Sequence, residues 1–329
     1  MPRFLIGFLL VFFVNSLWSQ PIAVSNLKCQ YREFPLGVDH TSPPLSWQLH
    51  ALRRNVMQSA YRILVADKIS LLQNDVGNIW DSKKVVSGES IQISYAGKPL
   101  HSGKVYYWKV MVWDDRDSAS GWSNPSGWQM GLLNKEDWKA AQWIAYDRLP
   151  DSQRIVPGIH GPGDSGLGTG NNILPLFRKA LMVSKPVKRA TAFVAGLGHF
   201  DFSINGKKVG DHFLDAGWTQ YSNNALYVTF DITGELTQEK NVLGVMLGNG
   251  FYYTPRERYR KITIAYGYPK MICRVVVEYA DGTIQNCVSD DTWKTIKGPI
   301  TFSSIYGGED YDANREQHSW NTPGFNDQL

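Results

Sequence analysis

The chain has 329 residues, with 34 Lys and Arg against 30 Asp and Glu, for a net charge of +4. The charges are interspersed, which excludes a nucleic-acid binder built on a basic stripe; the short basic stretch 256–261 reads as a solvated loop. Twelve Trp, sixteen Tyr and fourteen Phe point instead to a β-rich protein whose rings serve as core and, where sugars are handled, as stacking platforms.

At the N-terminus, Arg3 precedes an apolar run, 4–14, broken only by Gly7, and Ser19 offers a small residue for cleavage. Residues 1–20 therefore read as a secretory signal, because the run falls short of the roughly 20 apolar residues that a bilayer span needs. The expected location is secreted or periplasmic. Cys29 lies well beyond the run, so a lipoprotein cysteine is not indicated.

A first domain is predicted over 22–142, with short alternating strands at 45–49, 60–66, 91–93, 106–113 and 127–131. Leu100-His101-Ser102-Gly103 leads into Tyr106 and the alternating Trp108, Val110 and Val112. That pattern resembles the tyrosine corner of fibronectin type III and immunoglobulin-like sandwiches, with Trp47 as the core tryptophan. Such a domain mostly spaces or supports others.

Residues 143–173 read as a linker or an insertion loop overhanging a ligand site, rich in Gly, Pro and Ser from 151 to 172. Gly166-Leu167-Gly168-Thr169-Gly170 is not a phosphate loop, because no strand precedes it and no Lys-Ser or Lys-Thr pair closes it. A second domain is predicted over 174–327, with strands at 176–183, 191–194, 199–204, 226–231, 241–248, 271–279 and 283–288. Asn205-Gly206 is a strong hairpin signal. No segment combines helical periodicity with caps, so the class is all-β: two sandwiches in series.

Cys273 and Cys287 flank Asp281-Gly282. A two-residue turn there pairs Ala280 with Thr283 and sets Cys287 opposite Val276, on the face away from Cys273. All three cysteines are accordingly expected as unpaired, small core hydrophobes.

Several segments then meet a family in collinear order. Leu27 to Gly37, Pro44-Leu45-Ser46-Trp47, Ile79-Trp80-Asp81-Ser82, Tyr95 to Leu100 and Tyr106 to Val110 fall in the first domain. Trp138-Lys139 and Gln142-Trp143-Ile144 follow, then Phe177-Arg178-Lys179, Gly196-Leu197-Gly198 and Asn205 to Asp211. Leu214-Asp215-Ala216-Gly217-Trp218-Thr219, Leu247-Gly248-Asn249-Gly250-Phe251 and Gly308 to Phe325 complete the set. Over about residues 25–327 the chain resembles the opening of bacterial α-L-rhamnosidases. The resemblance implies a fibronectin-like domain followed by a jelly roll. In the family, further β-domains and an (α/α)₆ barrel carry on from there, and the barrel's carboxylates hydrolyse terminal α-L-rhamnose with inversion. The chain ends two residues after Asp327, which leaves no room for twelve helices of about 11–12 residues each. No catalytic residue is therefore expected.

Asp114-Asp115-Arg116-Asp117 and Asp290-Asp291 read as solvated turns. Glu309-Asp310-Tyr311-Asp312 is not an EF-hand: Arg315 stands where that loop requires Gly, and Asn321 where it requires the bidentate Glu. A calcium site assembled from separate sandwich loops is the one ion site left open, and the His spacing gives zinc no support. The resemblance implies sugar binding by the jelly roll. The candidate residues lie in its loops: Asp211, Asp215, Trp218, Asn249, Tyr252 and Asp310. A planar ring stacks on a sugar's apolar face, while carboxylates and amides bond its hydroxyls; the competing role for each is turn or core. Three functions compete: the non-catalytic portion of an α-L-rhamnosidase, a stand-alone secreted carbohydrate-binding module, and a subunit docking on a separate catalytic chain. The expected partners are a rhamnose-containing glycan or the catalytic domain, with neither nucleic acid nor a membrane span.

Overall fold

The computed structural model describes residues 22–156, 174–255, 258 and 264–328. The expected signal sequence, the glycine motif at 166–170 and most of the basic stretch lie outside the described residues. The chain forms two compact units, divided between Met130 and Gly131.

The first unit holds Ala23–Cys29 (β1), Pro44–His50 (β2), Gln58–Ala66 (β3), Ile69–Gln73 (α1), Trp80–Asp81 (β4), Val85–Val86 (β5), Ile93–Ser94 (β6), Val105–Asp114 (β7) and Ser126–Gln129 (β8). They make one sheet in the order β1-β2-β6 and another in the order β4-β3-β7-β8, with β5 also on β3. The long strands β3 and β7 alternate Ile63, Val65, Trp108 and Val110 into the core. The tyrosine corner is present: Tyr106 Oη accepts the His101 amide at 3.0 Å. Trp47 is buried edge-on against Tyr61 and Trp108 and donates from Nε1 to Gln58 Oε1 at 3.0 Å.

The expected solvated turn after β7 is solvated only in part. Asp114 is 1% exposed, and its carboxylate accepts the amides of Arg116 and Ser118, both at 2.9 Å. A chain reversal must satisfy its amides locally, and an Asp at its base does so. Asp115 and Asp117 are exposed.

The second unit begins earlier than the boundary at 142 that the sequence suggested. The Leu132 amide donates to Tyr227 Oη at 2.7 Å and the Gln142 amide to Ser289 O at 2.7 Å, so both ends of 131–142 are bonded within the second unit. Ile144–Ala145 (β9) adds to the same unit, and Ile155 bonds Ala265 in both directions; the described part of the expected linker is thus bound structure.

Its other strands are Pro175–Val183 (β10), Val187–Leu197 (β11), His199–Ile204 (β12), Lys207–Lys208 (β13), Val228–Asp231 (β14), Glu239–Gly248 (β15) and Tyr253–Thr254 (β16). Ile264–Ala265 (β17), Lys270–Tyr279 (β18), Ile284–Val288 (β19), Lys294–Lys297 (β20), Ile300–Ser304 (β21) and Gly308–Tyr311 (β22) follow. One sheet runs β13-β12-β15-β10-β20, the other β14-β11-β18-β19 with β9 on β18. Phe177, Phe202 and Val245 of the first meet Ala192, Phe230 and Val275 of the second in a single core, which makes the unit a β-sandwich. The fold class is all-β throughout, as expected.

At the Asn205-Gly206 turn both residues have positive φ, 52° and 85°, as a two-residue hairpin requires. The Asn205 side chain adds a clamp. It donates to Asn241 Oδ1 at 2.8 Å and accepts the Val242 amide at 2.9 Å.

The β18–β19 hairpin departs from its expected register by one residue. Tyr279, not Ala280, bonds Thr283, and the three-residue loop places Gly282 at φ 85°. Cys287 then faces Val275, not Val276, and shares the face of Cys273. Both remain free thiols, as does Cys29. Diagonal positions on a sheet sit about 7–8 Å apart, too far for a disulfide without backbone movement.

Candidate functional site

A cavity of about 630 Å3 opens on the second unit where four segments meet. The pairing of His199 with Gly248 brings the start of β12 beside the end of β15. The loop 211–226 and the β21–β22 hairpin supply the remaining walls. Close approach at this junction depends on glycine: a Cβ on Gly198, which has φ 104°, would stand 2.2 Å from Gly248 O. Gly250, at φ 50°, turns the chain directly over the His199 ring.

Trp218 dominates the cavity. Its ring lies flat on Phe251, centroids 4.3 Å apart and 4° from parallel, yet the residue is 58% exposed. Phe213 and Leu214 beside it are exposed at 81% and 70%, with Lys208 Nζ 4.2 Å from the Phe213 ring centroid. Polar groups at the wall are His199, Asp201, Ser303, Ser304 and Glu309. Asp201 is held by Lys208 at 2.7 Å. Burial lowers the His199 pKa, and the nearby Asp215 carboxylate offsets part of that.

The six candidates do not form one site. Trp218 lines the cavity. Asp215 stands behind it: its carbonyl accepts the Phe200 amide at 2.8 Å, and its carboxylate lies 3.4 Å from His212 Nδ1. Asp211 is fully exposed, with its carboxylate 3.9 Å from His212 Nε2. Asn249 is completely buried and donates to Ser303 O at 2.7 Å, which ties the β15 loop to β21. Asp310 pairs with Arg258, whose guanidinium lies over the Phe302 ring at 4.3 Å. Tyr252 belongs to another cluster, stacked on Tyr266 at 5.6 Å and edge-on to Tyr221.

Among the described residues no three His, Cys, Asp or Glu side chains converge to hold a metal ion. In the 309–312 cluster Asp310 is paired with Arg258, and Asp312 with Arg315 and the Asn314 amide. Among the described residues no helix is long and apolar enough to cross a membrane.

Residues 24–134 match the family model described as the Rha78A-like, N-terminal immunoglobulin domain. Residues 185–329 match the α-L-rhamnosidase N-terminal domain. The chain belongs to the N-terminal region of the α-L-rhamnosidases. Two α-L-rhamnosidases of Formosa agariphila are 37% and 36% identical to it over 299 and 297 residues, and one of Alteromonas sp. is 33% identical over 297. Each alignment takes in 89% of this chain but only 30–31% of the relative, so the chain spans under a third of the length of these rhamnosidases.

Among solved structures, the α-L-rhamnosidase of Dictyoglumus thermophilum superposes with a TM-score of 0.80 at 39% identity, over 93% of this chain and 33% of that one. The Streptomyces avermitilis α-L-rhamnosidase complexed with L-rhamnose gives 0.82 at 23% identity, over 93% and 44%; at that identity the likeness is one of fold.

Sequence reasoning missed His199, Phe251 and Glu309. His199 and Phe251 are brought to Trp218 by a strand pairing across about fifty residues, which no local pattern announces. The signal available was Gly248-Asn249-Gly250: two glycines around a buried Asn mark a tight approach, and the aromatic after them is where the chain re-emerges.

Proposed function

We propose that this chain is the non-catalytic front portion of an exported α-L-rhamnosidase, and that the Trp218 cavity is its docking face for a rhamnose-bearing glycan. The observation that supports the glycan is the exposed Trp218 ring held rigid by Phe251 beside hydroxyl and carboxylate groups. A fixed aromatic plane offers stacking area without an ordering cost, and L-rhamnose presents both a methyl group and hydroxyls. Hydrolysis of terminal α-L-rhamnose belongs to the whole enzyme, and this chain by itself leaves aryl α-L-rhamnosides intact. Chromophore release above a protein-free blank, by material free of contaminating glycosidase, overturns that part. Export is checked by intact mass after secretion: cleavage near 19–21 is expected, and retention of Met1 to Trp18 refutes it.

Binding is tested by calorimetry on the full chain with L-rhamnose, in calcium and in chelator. An open site should bind a monosaccharide with a dissociation constant on the order of 10 μM to 1 mM, or about −7 to −4 kcal/mol. Among the described residues no three His, Cys, Asp or Glu side chains converge to hold calcium, so chelation should change little. A second reading rests on Phe213 and Leu214, whose exposure suits a protein surface better than a sugar. Absence of heat at millimolar rhamnose in both conditions hands this face to the enzyme's catalytic portion.

A further inference from the structure

A different cavity of about 340 Å3 lies beside the start of β18 in the same unit, away from Trp218. Lys270, the first residue of β18, pairs through its backbone with Ala145 of β9 and sends a half-buried side chain among aromatic rings. Its ammonium stands 5.8 Å from the Tyr252 ring centroid. Among the described residues Lys270 has neither an ion-pair nor a hydrogen-bond partner.

Two more cations line the cavity, and both are engaged. Arg148 donates to Asp151 at 2.8 Å, while Arg154 donates from Nε to Tyr266 O at 3.0 Å and stands 3.8 Å from Asp151. Asp151 is thus shared by two guanidiniums. Asp147, the other acid at the wall, accepts the Arg148 amide at 2.7 Å. Three cations therefore face two acids, and the unmatched charge sits on the lysine. Burial and the fields of Arg154 and Arg148 all push the Lys270 pKa down. A half-buried ammonium without a counter-charge is costly unless something outside the chain completes it.

The walls narrow the chemistry. Tyr252 stacked on Tyr266 forms a buried aromatic floor, and Trp143, 42% exposed, offers a ring at the rim. The volume is near the lower end for small-molecule sites, enough for one sugar ring but not for an extended chain. The arginines beside Asp147 and Asp151 repel a metal cation. We infer that this cavity binds a single anionic sugar residue, its carboxylate on Lys270 and its ring against Trp143 and the tyrosine floor. Resting on the glycan reading proposed above, such a subsite would recognise a uronic acid within a rhamnose-containing polymer.

The experiment titrates the full chain with D-glucuronate, D-glucose and inorganic sulfate, followed by ligand-observed NMR or calorimetry. Glucuronate and glucose differ by a carboxylate in place of a hydroxymethyl group, so the pair isolates the charge. Glucuronate is expected to bind at least about tenfold tighter than glucose, with affinity falling as salt rises. Lys270→Gln should weaken glucuronate by about ten- to a hundredfold, the range for one charge-assisted hydrogen bond, while Lys270→Arg retains it. Trp218→Ala should leave glucuronate binding unchanged, which separates this site from the rhamnose proposal. Equal affinity for glucose and glucuronate overturns the inference without any variant. So does unaltered binding by a folded Lys270→Gln protein, which would make the lysine a side chain laid along Tyr252 to reach water. Sulfate as tight as glucuronate overturns the sugar specificity.

Discussion

The two units are equally aromatic in character and both bury rings in their cores, but the second also sets rings at cavity mouths. In the first, Trp47, Trp108, Trp128, Tyr95 and Tyr106 pack edge-on or tilted against one another in the interior. In the second, Trp218 with Phe251 and Trp143 near Tyr252 stand at the mouths of cavities. The difference follows from placement along the chain. Rings on alternating strand positions are drawn inward by the pleat, whereas rings in loops, such as Trp218 after Gly217 and Phe251 after Gly250, are free to end at the surface. Aromatic content alone therefore says little about binding; the element that carries the ring decides.

The largest effect that separates these uses is expected at Trp128, which is fully buried between Tyr95 and Tyr106. Trp128→Ala should destabilise the first unit by about 3–5 kcal/mol, read from the denaturant midpoint of its unfolding transition. A loss near zero would mean that the ring is not core.

Next comes Arg178, 5% exposed on β10. It donates from Nη1 to Trp320 O at 2.7 Å and to Thr322 O at 3.0 Å, and from Nε to Asp327 at 3.0 Å. One guanidinium thereby holds the segment 320–327, with Phe325 beneath it. Arg178→Met should cost about 2–3 kcal/mol, because it leaves several acceptors unmatched. Arg178→Lys should not restore it, since a point charge cannot span three acceptors. Hydrogen exchange localised to 320–327 distinguishes this latch from a general loss of stability.

The long strands were legible because the chemistry that makes them is local. Tyr106, Trp108, Val110 and Val112 alternate visibly, and Asn205-Gly206 dictates its own turn. The β18–β19 register was not legible, because Asp281-Gly282 suits both two- and three-residue loops; only the paired strands choose Gly282 as the left-handed residue of the longer one. The short strands β16, β17, β21 and β22 were missed because two to five residues carry too little alternation to register. Of the six site candidates, Trp218 lines a cavity, whereas Asn249 is completely buried and bonded to Ser303 O. The hydroxyl-, amide- and carboxylate-bearing residues that mark a sugar site also build tight turns, and burial tells the two apart.

Trp218 offers a finer test of the contrast with Trp128. Trp218→Ala should change unfolding by less than about 0.5 kcal/mol, as exposed substitutions usually do. Rhamnose affinity should nevertheless fall about tenfold, since one stacked ring contributes on the order of 1 kcal/mol. A stability loss comparable to that at Trp128 would reclassify the Trp218–Phe251 stack as core.

The smallest expected effect concerns His199, which sits under Gly250 at the same cavity and is half-buried. Burial favours its neutral form and lowers its pKa, with Asp215 pulling the other way. The unfolded chain, with an ordinary value near 6.5, therefore takes up a proton at a higher pH than the folded one. Stability is unaffected well above that value and declines as the pH falls through 6.5 toward the lower folded pKa. Between pH 7.5 and 5.5 the parent protein should lose slightly more stability than His199→Gln, which has no proton to gain. The paired melting curves measure this directly, and an NMR titration of the His199 ring gives the folded value. If the parent instead gains stability over that range, the Asp215 carboxylate outweighs burial, and the cavity floor carries a charged imidazolium able to donate to a ligand from both nitrogens.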